Sequence, residues 1–358
     1  MGGSALGLFA TAAALVLAAV PAAARVPSGF VGVTSDDVFA GADDYRTANL
    51  SAQAAIGVQT IRQTFDWSTI ERQPGVYDLA YHDGYVAKAA AHGIRILPVL
   101  FNPPGFRRPA HRRATCPPRS NADFARFAQA LVRRYGRSGS LWRERPDVPR
   151  RPIEAWQIWN EPNLPVYWCG RPNARRYVAM QRVVGRAIEQ VDRGAHILTA
   201  GLPASRLRGS VPLERYLRSM YRAGARKTFD SLAINPYAKD HRQMRKLLRS
   251  IRRLMNRHGD RRGSIWVTEV GWGDRGLKHR FIVGARGQAK RIRSAFAVVR
   301  KERRRLRLRG VVYYSWRDLP RYPPRFKDLW GLHTGLLRLN GEFKPAYYAF
   351  KNAVGRLR

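Results

Sequence analysis

Residues 153–163 read Ile153-Glu154-Ala155-Trp156-Gln157-Ile158-Trp159-Asn160-Glu161-Pro162-Asn163. A short apolar run ends there in Asn-Glu-Pro. A second run, Ile265-Trp266-Val267-Thr268, ends in Glu269 and is followed by Val270-Gly271-Trp272. Both read as buried β-strands, being short, apolar and rich in β-branched and aromatic residues. An acid at the end of a buried strand is costly unless something compensates it. Two such acids suggest one pair, and paired carboxylates are the working groups of glycosidic-bond cleavage.

Working outward, short apolar segments alternate with longer ones of helical period. Strands are expected at 30–33, 58–62, 94–100, 155–160, 197–202, 231–235, 265–269 and 311–316. Helices are expected at 46–55, 78–91, 123–135, 175–191, 213–225, 241–258, 288–300 and 345–354. In the third helix Phe124, Phe127, Ala128, Leu131, Val132 and Tyr135 share one stripe, and Ser120 stands three before Asp123 as an approximate capping box. Eight strands alternating with eight helices predict a single (β/α)₈ TIM barrel over 27–358. A doubly wound open sheet is the alternative. In a barrel the loops after strands rim the working face, here 101–119, 270–282 and 317–332. The segment 136–151 follows a helix and belongs to the opposite face.

The chain has 358 residues, with 65 Lys and Arg against 25 Asp and Glu, a net charge of +40. That excess invites a nucleic-acid reading, but its distribution opposes one. In 241–258 Met244, Leu247, Leu248, Ile251, Leu254 and Met255 form an apolar face. Arg242, Arg245, Arg249, Arg252 and Arg253 fill most of the rest, as on a packed helix with a solvated basic face. The densest run, 300–309, reads as a helix end plus a connector and lacks interleaved aromatic residues for base stacking. Specific nucleic-acid binding is not expected; nonspecific attraction to anionic envelope polymers is.

Residues 5–20 are almost wholly apolar and Ala22-Ala23-Ala24 follow, so 1–24 reads as a signal peptide. No Lys or Arg precedes the run, which leaves an uncleaved anchor as the alternative. A secreted or envelope-associated protein is expected. Its two cysteines, Cys116 and Cys169, fall in loops after strands, where they pair or stand as separate thiols. No metal-ligand cluster is visible, and the eight His lack zinc-like spacing.

Further residues join the two motifs: Arg62-Gln63-Thr64-Phe65-Asp66-Trp67, then Ile70-Glu71, Pro74-Gly75-Val76-Tyr77-Asp78, and Gly93 through Leu100. Together they resemble the clan A glycoside hydrolases, in the cellulase-like (family 5) or xylosidase-like (family 39) branch. The resemblance spans nearly all of the chain after residue 24. It implies that Glu161 is the general acid/base and Glu269 the nucleophile of a retaining O-glycosyl hydrolase acting on an oligo- or polysaccharide. It also implies that Asn160 holds the sugar 2-hydroxyl, Arg62 and Tyr237 hold the nucleophile, and Trp316 forms the floor beneath the sugar. Asn102, Trp67, Trp159, Trp272 and Trp330 are weaker candidates for sugar contacts. Many members of the family carry a His where this chain has Asn235.

A monomer working without metal or organic cofactor is expected. The rival readings are a noncatalytic glycan-binding, envelope-associated barrel and a transglycosylase. Gly271-Trp272-Gly273-Asp274-Arg275-Gly276 matches a dinucleotide fingerprint but follows the seventh strand, so it reads as a mobile loop.

Overall fold

The computed structural model describes residues 26–110, 112–205, 207–321 and 327–357. The expected signal peptide lies outside them. Eight parallel strands form the frame: β1 Val31–Thr34, β2 Thr60–Asp66, β3 Arg95–Phe101, β4 Ala155–Ile158, β5 His196–Leu198, β6 Ser231–Asn235, β7 Ser264–Val270 and β8 Leu308–Tyr313. Each pairs with the next, and β8 returns to β1 with Val311 opposite Val31, which closes the ring. The molecule is a single (β/α)₈ barrel. Inside it Leu97, Leu198, Ala233 and Trp266 pack together from four different strands. The larger apolar core lies between the strands and the surrounding helices.

Those helices are α1 Asp43–Ala55, α2 Ala80–Ala91, α3 Asn121–Tyr135, α4 Ala174–Val191, α5 Leu213–Arg222, α6 His241–Arg257, α7 Gly284–Leu306 and α8 Pro345–Gly355. Helix α3 buries the stripe read from its sequence, and Ser120 Oγ accepts a hydrogen bond from Asp123 N at 3.2 Å. No helix opens at Gly271–Gly276; Gly273 bridges instead to Ile282 in extended backbone. Among the described residues no helix is long and apolar enough to cross a membrane.

Two basic segments differ from expectation. Arg252 is buried in α6 rather than solvated, and its Nη2 donates to the carbonyls of Gly263 (2.9 Å) and Leu306 (2.7 Å). Arg249 pairs with buried Glu302 of α7. In the run 300–309 the connector is a single residue. Helix α7 continues to Leu306 because Glu302 and Leu306 keep its inner stripe, and only Arg307, at φ +52°, separates it from β8.

Candidate active site

The strands aim their ends at one opening. Arg62 sits within β2, where its neighbours across the sheet are Thr34 of β1 and Leu97 of β3. After β4 the backbone turns sharply: Trp159 has φ +74° and Glu161 φ +42°. Left-handed conformations are disfavoured for residues with a Cβ, and such strain clusters at functional sites. The turn is held where Glu161 N donates to Gly201 O at 3.2 Å. Glu269 comes from within β7, one residue before its end.

Both carboxyls are buried, yet their partners differ. Arg62 Nη1 lies 2.8 Å from Glu269 Oε1, and the Tyr237 hydroxyl donates to Glu269 Oε2 at 2.6 Å. One cation and one neutral donor therefore hold the two oxygens of Glu269. Arg62 is itself fixed: Nε donates to Gln157 Oε1 (2.9 Å) and Nη2 to Asn160 Oδ1 (3.0 Å). Among the described residues Glu161 has no cation of its own. Its Oε1 accepts from Asn235 Nδ2 at 2.8 Å, and Thr268 Oγ1 donates to Asn235 Oδ1 at 2.8 Å, which sets the orientation of that amide. Gly201 makes room for this link, since a Cβ there would lie 2.6 Å from Asn235 Oδ1. Burial, and then the nearby Glu269 charge, push the Glu161 pKa up to about 8, against the weaker pull of Asn235 and Arg62. One carboxyl is thus kept protonated near neutrality beside one that is ion-paired.

The two glutamates line a single cavity of about 420 Å³ with Thr34, Asp36, Arg62, Asn102, Asn160, Tyr167, Tyr237, Tyr314 and Trp330. A second lobe of about 470 Å³ shares Glu161, Tyr237 and Trp330 with it, lacks Glu269, and is walled by Leu164, Pro203, Leu207 and Phe281. The barrel superimposes on a family 39 glycoside hydrolase from Bacteroides cellulosilyticus WH2 with a TM-score of 0.62, at 19% identity over 92% of this chain and 64% of that one. It superimposes on a monomeric β-xylosidase from Caulobacter crescentus CB15 with a TM-score of 0.64, at 18% identity over 91% and 69%. A GH5_18 enzyme variant from Bifidobacterium longum, in complex with Manβ1-4GlcNAc, gives 0.66, at 14% identity over 91% and 78%.

The chain shares its fold with glycoside hydrolases of families 39 and 5. Those are the two branches whose motifs its sequence resembles. It spans about two thirds of the length of the family 39 enzyme. The sequence matches no protein-family model and no curated protein.

The structure brings together Glu161, Glu269, Arg62, Asn160, Tyr237 and Asn102. Trp330 joins them, on the rim. Trp316 does not. It is wholly buried behind the wall, its Nε1 donating to Asn49 Oδ1 at 2.8 Å, so it offers no floor for a sugar. Tyr314, two residues earlier, lines the cavity in its place, and the backbone beyond β8 stays bonded to the barrel, Tyr314 N to Val270 O (3.0 Å) and Trp316 N to Thr34 O (2.8 Å). The Tyr314–Ser315 peptide there is cis. Trp67 is likewise buried, stacked on Phe124 and Phe127 with Nε1 bonded to Glu71, and is a core residue. Trp159 and Trp272 are also fully buried.

Asp36, Tyr167 and Tyr314 are cavity residues that the sequence reading passed over. For Asp36 a signal existed, an acid two residues after the first strand. Cys116 and Cys169 form a disulfide with Cα atoms 4.8 Å apart, linking the loops after β3 and β4. Asp274, Asp318 and His333 converge in a manner that could suggest a metal, but the buried Lys344 ammonium bonds Asp274 Oδ1 (2.9 Å) and Asp318 Oδ1 (2.6 Å) and supplies the cation itself.

Proposed function

We propose that this chain is a retaining glycoside hydrolase working by double displacement. The unequal settings of Glu161 and Glu269 in one cavity carry the reading. Glu161 donates its proton to the leaving oxygen while Glu269 attacks the anomeric carbon and forms a glycosyl ester. Glu161, now ionised, takes a proton from water, and that water breaks the ester. Arg62 and Tyr237 orient the nucleophile and keep it from bonding to the acid. Asn160 has its carbonyl committed to Arg62, which leaves its amide N–H groups for the sugar 2-hydroxyl. The lobe holding both acids receives the glycone. The lobe holding Glu161 alone receives the leaving group. The substrate is an oligo- or polysaccharide, met outside the cell or in its envelope by a monomeric enzyme.

Glu269→Ala and Glu161→Ala are each expected to lower kcat on aryl glycosides by about 10³-fold or more, a loss of roughly 4 kcal/mol of transition-state stabilisation. Added azide should restore Glu269→Ala and yield the glycosyl azide of inverted configuration. Undiminished turnover in either variant refutes the assignment. Transfer of the glycosyl group to an added sugar in preference to water would make the enzyme a transglycosylase. Saccharide binding with no turnover by the parent would make it a noncatalytic glycan-binding barrel.

A further inference from the structure

One wall of the catalytic lobe has no part in the bond-breaking chemistry. It consists of Thr34 at the end of β1, Asp36 just beyond it, and Asn102 just beyond β3. Thr34 is 4% exposed, and its Oγ1 is buried without a hydrogen-bond partner. Asn102 spends its amide nitrogen on Asp66 Oδ2 at 2.9 Å, and its Oδ1 is likewise buried and unpaired. Asp36 accepts from Gln63 Nε2 at 3.2 Å through Oδ1, and its Oδ2 has no hydrogen bond among the described residues. Asp36 is an exposed residue, yet the protein packed around its carboxyl raises its pKa by desolvation, against the opposing effects of Arg62 and Gln63.

The wall therefore offers one open carboxylate oxygen, on Asp36, while the unpaired Thr34 Oγ1 and Asn102 Oδ1 are buried beside the cavity and reachable only after a local shift. A carboxylate with a free oxygen favours a ligand group that donates. Sugar hydroxyls and ammonium groups donate. Carboxylate, sulfate and phosphate groups only accept, and Asp36 and Glu269 repel them. Arg62 is the only cation among the described lining residues, and it is already committed to Glu269, Gln157 and Asn160.

We infer that Thr34, Asp36 and Asn102 form a glycone-selecting wall that takes a sugar with free hydroxyl or amino groups and rejects uronic, sulfated or phosphorylated sugars. The inference rests on the glycosidase reading of this cavity. It runs against the net charge of +40, which taken alone favours anionic glycans. Contact at the wall outweighs surface charge because exposed charges are screened over about 8 Å at physiological ionic strength.

The test uses aryl glycoside pairs in the gluco, galacto and manno series that differ only at C6, hydroxymethyl against carboxylate. At least one neutral member should be cleaved with kcat/KM about 100-fold above that of its uronide. Asp36→Asn should lower kcat/KM for the neutral member by about 10- to 100-fold, the worth of a hydrogen bond to a charged group. It should also narrow the ratio between the pair, because the new amide donates to a carboxylate. A structural role would lower both members alike, so an unchanged ratio overturns the inference, as does a preferred uronide. If no glycoside is cleaved, thermal stabilisation of Glu161→Gln by the same compounds decides. Stabilisation by neutral members alone upholds the wall and refutes the hydrolase. Stabilisation by anionic members, or by none, overturns the wall.

Discussion

At the scale of the residue, the raised pKa of Glu161 bears on both pH behaviour and stability. With a pKa of about 8 it holds its proton at neutral pH, and kcat/KM should fall above that value as the free enzyme loses its acid. The same shift acts on folding. The unfolded chain releases this proton near pH 4.5, whereas the native state keeps it to about 8. Between those values the native state binds more protons, so stability falls as pH rises, by at most about 1.4 kcal/mol per unit from this group. Glu161→Gln carries no titrating proton there. Its urea midpoint should therefore rise relative to the parent between pH 5 and pH 7.5, and parallel changes in the two proteins would contradict the shift. That Glu161 and Glu269 belong to one site was legible in the chain, because an acid ending an apolar run is anomalous wherever it folds. What separates them was not. Their distinction comes from Asn235 on β6 and Arg62 on β2, residues 74 and 207 positions away along the chain.

The elements show where sequence reading reaches its limit. All eight strands and all eight helices were visible as periodicities, because each buries a stripe or a face whose spacing is set locally. Their ends were less visible. Trp316 and Tyr314 are both aromatic residues near the end of the last strand, and nothing local says which faces the lumen. Pairing of this segment with β1 and β7, both far away along the chain, places the two side chains. Trp67 fails as a sugar contact for a similar reason: its burial is settled by Phe124 and Phe127 of α3, far along the chain. The Cys116–Cys169 bridge acts at this scale too. It closes a loop with a sequence separation of 53, for which chain entropy gives about 4 kcal/mol as the most it can add. Cys116→Ser with Cys169→Ser should lower the unfolding free energy toward that extent, read from denaturant curves. Iodoacetamide should label neither cysteine in the unreduced parent. Labelling, or an unchanged midpoint, would show that the bridge is not made.

For the whole molecule, the charge of +40 and the cleft answer to different ligands. Between about 0.1 and 1 M salt the Debye length contracts from about 10 to 3 Å, so retention on a polyanion such as heparin should collapse. Turnover of a neutral aryl glycoside at saturation should change by less than about twofold over the same range, since the pairs around Glu269 and Glu161 are buried. A parallel collapse would tie the surface charge to catalysis. The ring of strands has a consequence in time as well as in space. Val31 finds its partner in Val311, and Trp316 reaches back to Asn49 across 267 positions. A ribosome delivers these residues in order, so the first strand emerges long before the strand that covers its edge. Until β8 pairs, β1 and β7 each lack a neighbour on one edge, so closing the ring joins the earliest and latest parts of the chain. Loss of the final stretch would remove more than a helix and a strand, because it would leave the rest of the barrel with no way to close.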